Sequence, residues 1–313
     1  MNDVYLKLNK ELESTKDRLS AIAKKETHEV IKTKEMQRLG KLTGLVNSLS
    51  DVISYWDECE YLVEVRDAEK VTFVPYDIKP LAKKIFDGAD MVLMMSATIT
   101  DHEEFTKSLG ISKPQYEYVE IGSSFDPKKS PIKYSKAISL SHKTMDRDLP
   151  KVLDMVVQIC NSHKGEKGII HTHTNKITEA LKRKIGNDDR FLFRQLGVTN
   201  EDILEEHKNR KDDTILISPS LDTGISLDGD LGRFQIIIKA PFLPLGSKRI
   251  KKIFDKNPKY YIMKMLDTFV QMCGRCTRSV EDHSTTYVLD GVIFKNIVDN
   301  HNKLPKHFIE RFI

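Results

Sequence analysis

The pattern of apolar and polar positions divides the chain into a helical beginning and a longer region of alternating strands and helices. Up to about residue 54 the sequence is rich in Lys, Glu and Leu, with few helix breakers. The apolar residues of its second half recur at alternating spacings of three and four: Leu39, Leu42, Val46, Leu49 and Ile53. Because this spacing places them on one helix face, we expect an antiparallel helical hairpin or bundle.

A different texture begins near residue 61. The segments YLVEVRD (61–67) and KVTFVPYD (70–77) alternate apolar with polar residues, which is typical of short strands. The run MVLMM (91–95) is continuously apolar and lies between turn signals. Such a run predicts a buried strand of the kind found in parallel sheets.

From about residue 130 onward, predicted strands and helices alternate. Buried strands are expected at 168–174, 213–220, 234–241 and 285–291. Helices are expected at 149–163, 175–185, 199–208 and 258–273. This alternation predicts an α/β domain with a mainly parallel sheet.

Charge adds one local feature. The 50 basic and 46 acidic residues nearly balance among 313, so a formal charge of +4 does not by itself indicate a nucleic-acid partner. Between residues 239 and 259, however, seven Lys or Arg accompany a single acid, Asp255. This segment is suited to phosphate groups, and a solvated loop is the alternative interpretation.

Other sequence features narrow the class of protein. No apolar run is long enough for a membrane span and the first residues lack a secretory core, so we expect an intracellular, cytoplasmic protein without a membrane partner. The four cysteines are too few for a disulfide framework. Cys273 and Cys276 form a CxxC pair, but no second pair stands at metal-site spacing. We therefore expect no metal site and no iron–sulfur cluster in this chain.

The most informative segment is TFVQMCGRCTRS (268–279), which contains the pattern QxxGRxxR. Arg275 and Arg278, three residues apart, are expected on one helix face, where two guanidinium groups can bind a polyphosphate. Gly274 permits close approach of a ligand, and Gln271 can orient water or a phosphate oxygen. The alternative is a surface helix whose arginines pair with acidic neighbours.

A second candidate is SPSLDTGISLDGD (218–230), which follows a predicted buried strand. Ligands of α/β sheets bind at loops after the carboxyl ends of strands. The hydroxyls of Thr223 and Ser226 and the backbone N–H groups beside Gly224 suit nucleotide or nucleic-acid phosphate, and Asp228 belongs to the same candidate site. An ordinary Asp and Gly turn is the alternative. We expect this loop and the QxxGRxxR segment on the same edge of the sheet.

Four segments in this order resemble motifs III, IV, V and VI of superfamily 2 helicases. They are SATI (96–99), HTHTNK (171–176), DTGISLDGD (222–230) and QMCGRCTR (271–278). The resemblance is closest to the XPD and DinG branch, because FVPYDIKPLAKKIF precedes SATI and IIIKAPFLPLG (236–246) follows the motif V segment. It covers roughly residues 60–295, and QMCGRCTR is its most specific part.

The resemblance implies an α/β fold with a RecA-like parallel-sheet motor lobe, preceded by a helical, arch-like segment. Residues 1–60 would be the arch-like segment, 61–98 returning strands of a first lobe with motif III, and 99–313 the second lobe. The implied activity is ATP-dependent DNA unwinding, 5′ to 3′, in DNA repair or replication. Single-stranded DNA is the implied partner, although a basic groove does not separate DNA from RNA.

The resemblance also implies roles for individual residues. Arg275, Arg278 and Gln271 would be catalytic, with Arg278 as the finger that reaches the γ-phosphate of ATP. Gly274, Gly224, Ser226 and Asp228 would lie at the nucleotide. The residues that would couple ATP to the strand or face it are Ser96, Thr98, Thr174, Asn175 and Thr223. One departure is Ser226, where the branch commonly has an acidic residue.

The sequence contains neither a GxxxxGK[ST] loop nor a DEAH box. ATP and Mg²⁺ would therefore both require a first lobe, on the same gene product or a separate chain, and this chain alone should not turn over ATP. Two other interpretations stay open: a catalytically inactive nucleic-acid-binding or assembly module, and a different P-loop-type ATPase or translocase.

Overall fold

The computed structural model describes residues 2–23, 29–67, 70–136, 138–194, 197–219 and 227–313. The chain forms two compact units. The first comprises Met1–Leu93 with Thr106–Ser112, and the second comprises Met94–Phe105 with Lys113–Ile313. None of the helices in the described part of the chain has both the length and the apolar character needed to cross a bilayer.

The first unit is built mainly from helices and one hairpin. Its elements are α1 (Asn2–Ala23), α2 (Glu29–Ser54), α3 (Trp56–Cys59), β1 (Tyr61–Asp67), β2 (Lys70–Pro75) and α4 (Lys79–Phe86). Helices α1 and α2 pack together through Leu12, Leu42 and Val46, so two members of the predicted apolar stripe are buried as expected. Strands β1 and β2 are the two predicted strands, and they pair antiparallel.

The prediction of a buried strand at 91–95 was wrong. These residues have irregular backbone, and the side chains of Met91, Leu93 and Met95 are 89%, 79% and 83% exposed. An apolar run expresses a preference for burial, but a strand also requires a neighbour that satisfies its N–H and C=O groups. Among the described residues, no strand pairs with this segment.

The remainder of the chain alternates strands with helices. Its strands are β3 (Ile132–Tyr134), β4 (Gly168–His171), β5 (Phe191–Phe193), β6 (Ile215–Ser218), β7 (Phe234–Ile237) and β8 (Thr285–Val288). Its helices are α5 (His102–Ser108), α6 (Met145–Ser162), α7 (Asn175–Ile185), α8 (Asn200–Asn209), α9 (Lys248–Lys256), α10 (Pro258–Cys273), α11 (Gly291–Asp299) and α12 (Lys306–Ile309). Short 3₁₀ turns occupy Pro127–Lys129, Gly229–Leu231 and His301–Lys303.

The six strands of the second unit form one sheet in the order β3-β8-β7-β4-β6-β5, and every pairing is parallel. The prediction of a mainly parallel α/β domain is confirmed. All residues of β4 and β7 are buried, as expected for strands covered on both faces. The sequence did not predict β3 and β5, because three residues are too few to show a period.

Helices cover both faces of this sheet. On one face, α6 and α7 contribute Val152, Val156 and Leu181 to a core that includes Phe234 and Ile236. The core on the other face is formed largely by α10, α11 and α12, from residues that include Met265, Leu266, Phe269, Ile293, Ile297 and Phe308. This second layer positions the QxxGRxxR segment, because Gln271 lies in the last turn of α10 and the rest of the segment, from Gly274 onward, directly follows that helix.

Local signals set both ends of α10. The Asn257 side chain accepts a hydrogen bond from the N–H of Tyr260 (3.1 Å), and Pro258 occupies the first turn, where its missing N–H costs nothing. At the other end, the N–H of Gly274 donates to the carbonyl oxygen of Gln271 (3.2 Å), and the N–H of Arg275 donates to that of Met272 (3.1 Å). The helix therefore covers the predicted range and stops immediately before Gly274.

The basic segment between residues 239 and 259 has irregular backbone up to residue 247, but six of its seven basic residues lie in helices. Its central part forms α9, which the Ser247 hydroxyl caps at the N–H of Ile250. Ile250 is buried beneath the helix, while Lys248 and Lys251 are exposed. The amino group of Lys251 pairs with the carboxylate of Asp255 at 2.6 Å, so part of the positive charge is locally balanced.

Two buried histidines should make this unit sensitive to acid. Burial lowers the pKa of His171 and of His207 to about 4, against about 6.5 for an exposed histidine. In His207 the Nε2–H donates to the carbonyl oxygen of Leu231 (2.9 Å), and the Thr214 hydroxyl lies 2.8 Å from Nδ1. The unfolded chain therefore takes up protons that the folded state excludes, and stability falls as the pH drops from about 6.5 toward 4.

We expect each histidine to lower the free energy of unfolding by about 2 kcal/mol between pH 7 and pH 5. Urea titrations at both pH values measure this loss. His207→Gln should remove the contribution of His207 to the pH dependence, whereas His301→Gln, at an exposed site, should leave the dependence intact. An unchanged dependence in His207→Gln would show that other groups cause it.

Candidate functional site

A cleft of about 460 Å³ lies beside the carboxyl end of α10 in the second unit. It contains the residues predicted from QxxGRxxR. The residues that line it are Ala97, Thr98, Ile121, Ser123, Phe125, Pro127, Ser130, Val270, Gln271, Gly274, Arg275, Thr277, Arg278, His307, Phe308 and Arg311. This described lining includes three arginines and one histidine but neither Asp nor Glu, so the cleft is suited to an anion.

Two predicted segments that are distant in the sequence meet in this cleft. The Nε2–H of Gln271 donates to the hydroxyl of Thr98 at 2.9 Å. The N–H of Thr98 in turn donates to the hydroxyl of Ser96 at 3.2 Å. Gln271, which was expected at the nucleotide, thus directly contacts Thr98, which was expected to couple ATP to the strand. The side chain of Ser96 is exposed.

A second contact anchors the SATI segment to α10. The carboxylate of Asp267 accepts hydrogen bonds from the N–H (3.2 Å) and the hydroxyl (2.6 Å) of Thr100. Burial raises the pKa of Asp267, although the Thr100 bonds and the charge of Lys264 oppose that rise. Asp267 and Gln271 are one helical turn apart, so the same helix face holds Thr100 and Thr98. The sequence offered no signal that would distinguish Asp267 from a surface acid.

The expectation that Arg275 and Arg278 share one helix face was wrong. Helix α10 ends at Cys273, and both arginines lie in the loop that follows it. The helix stops where the N–H groups of Gly274 and Arg275 turn back to the carbonyl oxygens of Gln271 and Met272, respectively. The arginines nevertheless line the same cleft. Their joint presentation therefore depends on the conformation of a loop.

Asp282 holds this loop in place. Its Oδ2 accepts hydrogen bonds from the N–H groups of Arg278 (2.8 Å) and Ser279 (2.9 Å), and its Oδ1 accepts from Gly229 N–H (3.1 Å). Burial would raise the pKa of Asp282, but these three donors and the charge of Arg233 lower it overall. Asp282 was not among the predicted site residues, and its only local signal in the sequence is that an acid closely follows the arginines.

The described end of the 218–230 segment contacts the arginine loop, which is the loop after α10 that carries Arg275 and Arg278. The N–H of Leu227 donates to the carbonyl oxygen of Arg275 at 3.3 Å. Gly232 allows close packing here, because a Cβ at that position would lie 2.9 Å from the sulfur of Cys276. Asp228 is exposed and precedes the turn Gly229–Leu231. Thr223, Gly224 and Ser226 lie outside the described residues, as do the other residues of 220–226.

Thr174 and Asn175, the two candidate residues that follow β4, lie outside the cleft. Thr174 caps α7 by accepting a hydrogen bond from the N–H of Ile177 (3.3 Å), and Asn175 is the exposed first residue of that helix. The cap gives Thr174 a structural role whatever else it contacts.

The CxxC pair is buried at the foot of the arginine loop. Burial raises the pKa of both thiols, Cys273 and Cys276, to about 12, so both are protonated at neutral pH. Cys276 packs with Ile169, Leu216 and Leu227, which makes it part of a hydrophobic core. In the described part of the chain, no three His, Cys, Asp or Glu residues are arranged to hold a metal ion. That no iron–sulfur cluster is bound stays a prediction.

The parallel sheet, with SATI and QxxGRxxR joined at one cleft, has the architecture of a RecA-like lobe. Residues 157–310 match the family profile of the helicase C-terminal domain. The resemblance of this region to the C-terminal part of XPD/DinG-like superfamily 2 helicases is confirmed. No curated protein sequence matches the chain.

Solved structures of XPD proteins share the fold. An XPD helicase structure matches with a TM-score of 0.58 at 15% identity, covering 92% of this chain and 55% of that one. An XPD structure in the apo form matches with a TM-score of 0.60 at 15% identity, covering 86% and 59%. Xpd4 of S. tokodaii matches with a TM-score of 0.54 at 13% identity, covering 77% and 48%. The chain thus spans about half to three fifths of the length of these structures.

Proposed function

We propose that this chain supplies the second motor lobe of an ATP-dependent DNA helicase that moves 5′ to 3′ in DNA repair or replication. Arg275, Arg278 and Gln271 would act on an ATP held mainly by a first lobe. The observation that carries the proposal is the meeting of Gln271 with Thr98 in a cleft whose described lining is cationic and lacks acids.

The cleft fits the phosphates of ATP better than it fits the metal. Guanidinium groups bind phosphate oxygens in a forked geometry and neutralise charge that develops during phosphoryl transfer. Mg²⁺ is commonly held through one or two carboxylates, and the described lining offers none. Mg²⁺ and most of the triphosphate would therefore be bound by the first lobe, while this chain contributes the arginines.

The division of the chain follows the same proposal. Residues 1–60 would be an arch-like segment, 61–98 would belong with the first lobe, and 99–313 would be the second lobe. The nucleotide would be contacted by Gly274, Gly224, Ser226 and Asp228. ATP state would be coupled to the strand through Ser96 and Thr98. Thr174, Asn175 and Thr223 would face the backbone of single-stranded DNA, where hydroxyl and amide groups position a strand without reading its sequence.

The test of this proposal is complementation. The purified chain should show no DNA-stimulated ATP hydrolysis above background, because the sequence has no phosphate-binding loop. A first lobe with a GxxxxGK[ST] loop and a DEAH box, encoded upstream or by a separate gene, should restore hydrolysis when both are mixed. Steady-state phosphate release with and without single-stranded DNA measures both results.

Robust turnover by the chain alone would contradict the shared-site proposal. A matched first lobe that binds the chain but restores no hydrolysis would instead favour a catalytically inactive assembly module. A first lobe with its phosphate-loop lysine replaced by alanine is the control, since it should bind and yet give no turnover.

A further inference from the structure

Arg311, near the end of the chain, lies in the same cleft as the two arginines of QxxGRxxR. Its Nε–H donates to the carbonyl oxygen of Ser130 at 2.7 Å, and its Nη2 donates to that of Cys273 at 3.0 Å. The guanidinium carbon lies 5.6 Å from the ring centre of Phe308. These contacts fix a partly buried cation directly beside the loop that carries Arg275 and Arg278.

This guanidinium has no acidic counter-ion in the described part of the chain, where no carboxylate oxygen lies within 4.0 Å of it. Arg190 provides a comparison within the same unit. It also donates to two carbonyl oxygens, those of Asp213 and Cys160, but it pairs in addition with the Asp213 carboxylate at 2.9 Å. The two arginines therefore differ mainly in whether an acid balances their charge.

The carbonyl oxygen of Cys273 does not balance the charge of Arg311. Cys273 is the last residue of α10, and the carboxyl end of a helix carries only about half a negative charge. Burial lowers the pKa of Arg311, but a guanidinium remains protonated at neutral pH. A net positive charge is thus held in a partly dehydrated site, and binding of an anion would stabilise it.

The described cleft lining points to the same conclusion. It contains Arg275, Arg278 and Arg311 and the hydroxyls of Ser123 and Ser130, and no Asp or Glu is among these lining residues. Burial lowers the pKa of His307, which keeps this fourth group neutral near pH 7. Three permanent charges and neutral hydrogen-bonding groups suit a ligand with several negative charges on adjacent oxygens.

We propose that Arg311 is a third phosphate-binding arginine of this cleft, and that it contacts a polyphosphate together with Arg275 and Arg278. The inference rests on the proposed function in taking the phosphates of a nucleotide as the anion. It adds a residue that lies outside every motif recognised in the sequence. Its contribution is a charge, and the bond to Cys273 only orients that charge.

The experiment measures binding of inorganic tripolyphosphate to the full chain by isothermal titration calorimetry. Arg311→Gln should weaken binding on the order of tenfold, because one charge-assisted contact is lost. Arg311→Lys keeps the charge and should lose less than about threefold. Arg190→Gln is the matched control, since it removes the same charge and two similar hydrogen bonds at the opposite edge of the sheet, and its binding should be unchanged.

Each outcome decides the matter. Unchanged binding by Arg311→Gln, or an equal loss in Arg311→Lys, would overturn the proposal, the latter because it would assign Arg311 to positioning Cys273. If Arg278→Gln weakens binding while Arg311→Gln does not, only this inference fails. If the unaltered chain does not bind tripolyphosphate, the inference fails and the proposed nucleotide cleft loses its support as well.

A measurement on the unaltered chain covers the case in which Arg311→Gln does not fold. Phenylglyoxal modifies accessible arginines, and peptide mass spectrometry reports the rate at each site. Tripolyphosphate should slow modification of Arg311 several-fold and leave the exposed Arg183 unaffected. Equal rates at Arg311 with and without tripolyphosphate would overturn the proposal.

Discussion

Replacing Arg278 by alanine in the complemented motor should lower the rate of ATP hydrolysis on the order of 10³-fold, as is typical when an arginine finger is lost. The reason is electrostatic. A guanidinium that meets the γ-phosphate stabilises charge that is largest in the transition state, so kcat falls more than KM rises. Binding of single-stranded DNA should be unchanged, because Arg278 lines the phosphate cleft.

The matched control for this variant is Arg183→Ala, which removes an exposed arginine of α7 outside the cleft. It should hydrolyse ATP at the unaltered rate. Pre-steady-state phosphate release and DNA binding by fluorescence anisotropy separate the two effects. If Arg278→Ala retains full activity, Arg278 does not contact the γ-phosphate. If DNA binding falls in parallel with hydrolysis, the residue acts on the strand as well.

Replacing Asp282 by asparagine should have the second largest effect, because three backbone N–H groups would lose a charged acceptor. We expect the free energy of unfolding to fall by about 3 kcal/mol, since hydrogen bonds to charged groups are among the stronger ones. The loop that carries Arg278 would also lose its fixed conformation. Hydrolysis by the complemented motor should therefore fall on the order of 100-fold, since small misplacements of catalytic groups are costly.

The stabilisation from Asp282 should depend on pH in a defined direction. Its pKa in the folded chain is lowered, so its contribution is complete above the unfolded value near 4 and is lost as the pH falls through the folded value. The difference in stability between the unaltered chain and Asp282→Asn should consequently be largest near neutral pH. Urea titrations from pH 7 down to pH 3 measure it.

Asp230→Asn is the matched control for Asp282→Asn. Asp230 lies in the neighbouring turn and pairs with Arg233 at 2.5 Å, but its side chain is 94% exposed. Exposed ion pairs contribute little, so this variant should change stability by less than about 1 kcal/mol. If Asp230→Asn lowered the free energy of unfolding as much as Asp282→Asn does, removal of any acid from this turn would have the same effect. The specific role of the three N–H bonds would then be refuted.

Much of the fold was predictable from the sequence, because apolar periodicity and helix-end signals are local. The ranges of α7 and α10 were predicted as they occur, since Asn257 and Pro258 begin α10 and Gly274 ends it. The buried runs that became β4, β6, β7 and β8 were predicted for the same reason. Gln271, Arg275 and Arg278 were found as candidates because a short pattern contains all three.

The sequence by itself also left errors that share one cause. The MVLMM run has the composition of a buried strand but no described partner strand, and the two arginines have helical spacing but follow the end of a helix. In both cases a local pattern favours one secondary structure, but that structure forms only if residues distant in the sequence supply the contacts and hydrogen bonds it needs. Edge strands as short as β3 and β5 carry too few residues to show any pattern.

Only the tertiary structure decided which side chains meet. The parallel sheet with its crossover helices places Thr98 against Gln271, Thr100 against Asp267, and Arg311 beside Cys273. The members of each pair are far apart in the chain, and neither has a neighbouring residue that indicates its partner. Residue types and their periods thus determined the lobe and its candidate chemistry. The contacts that orient that chemistry, Asp282 above all, followed from the path of the backbone in three dimensions.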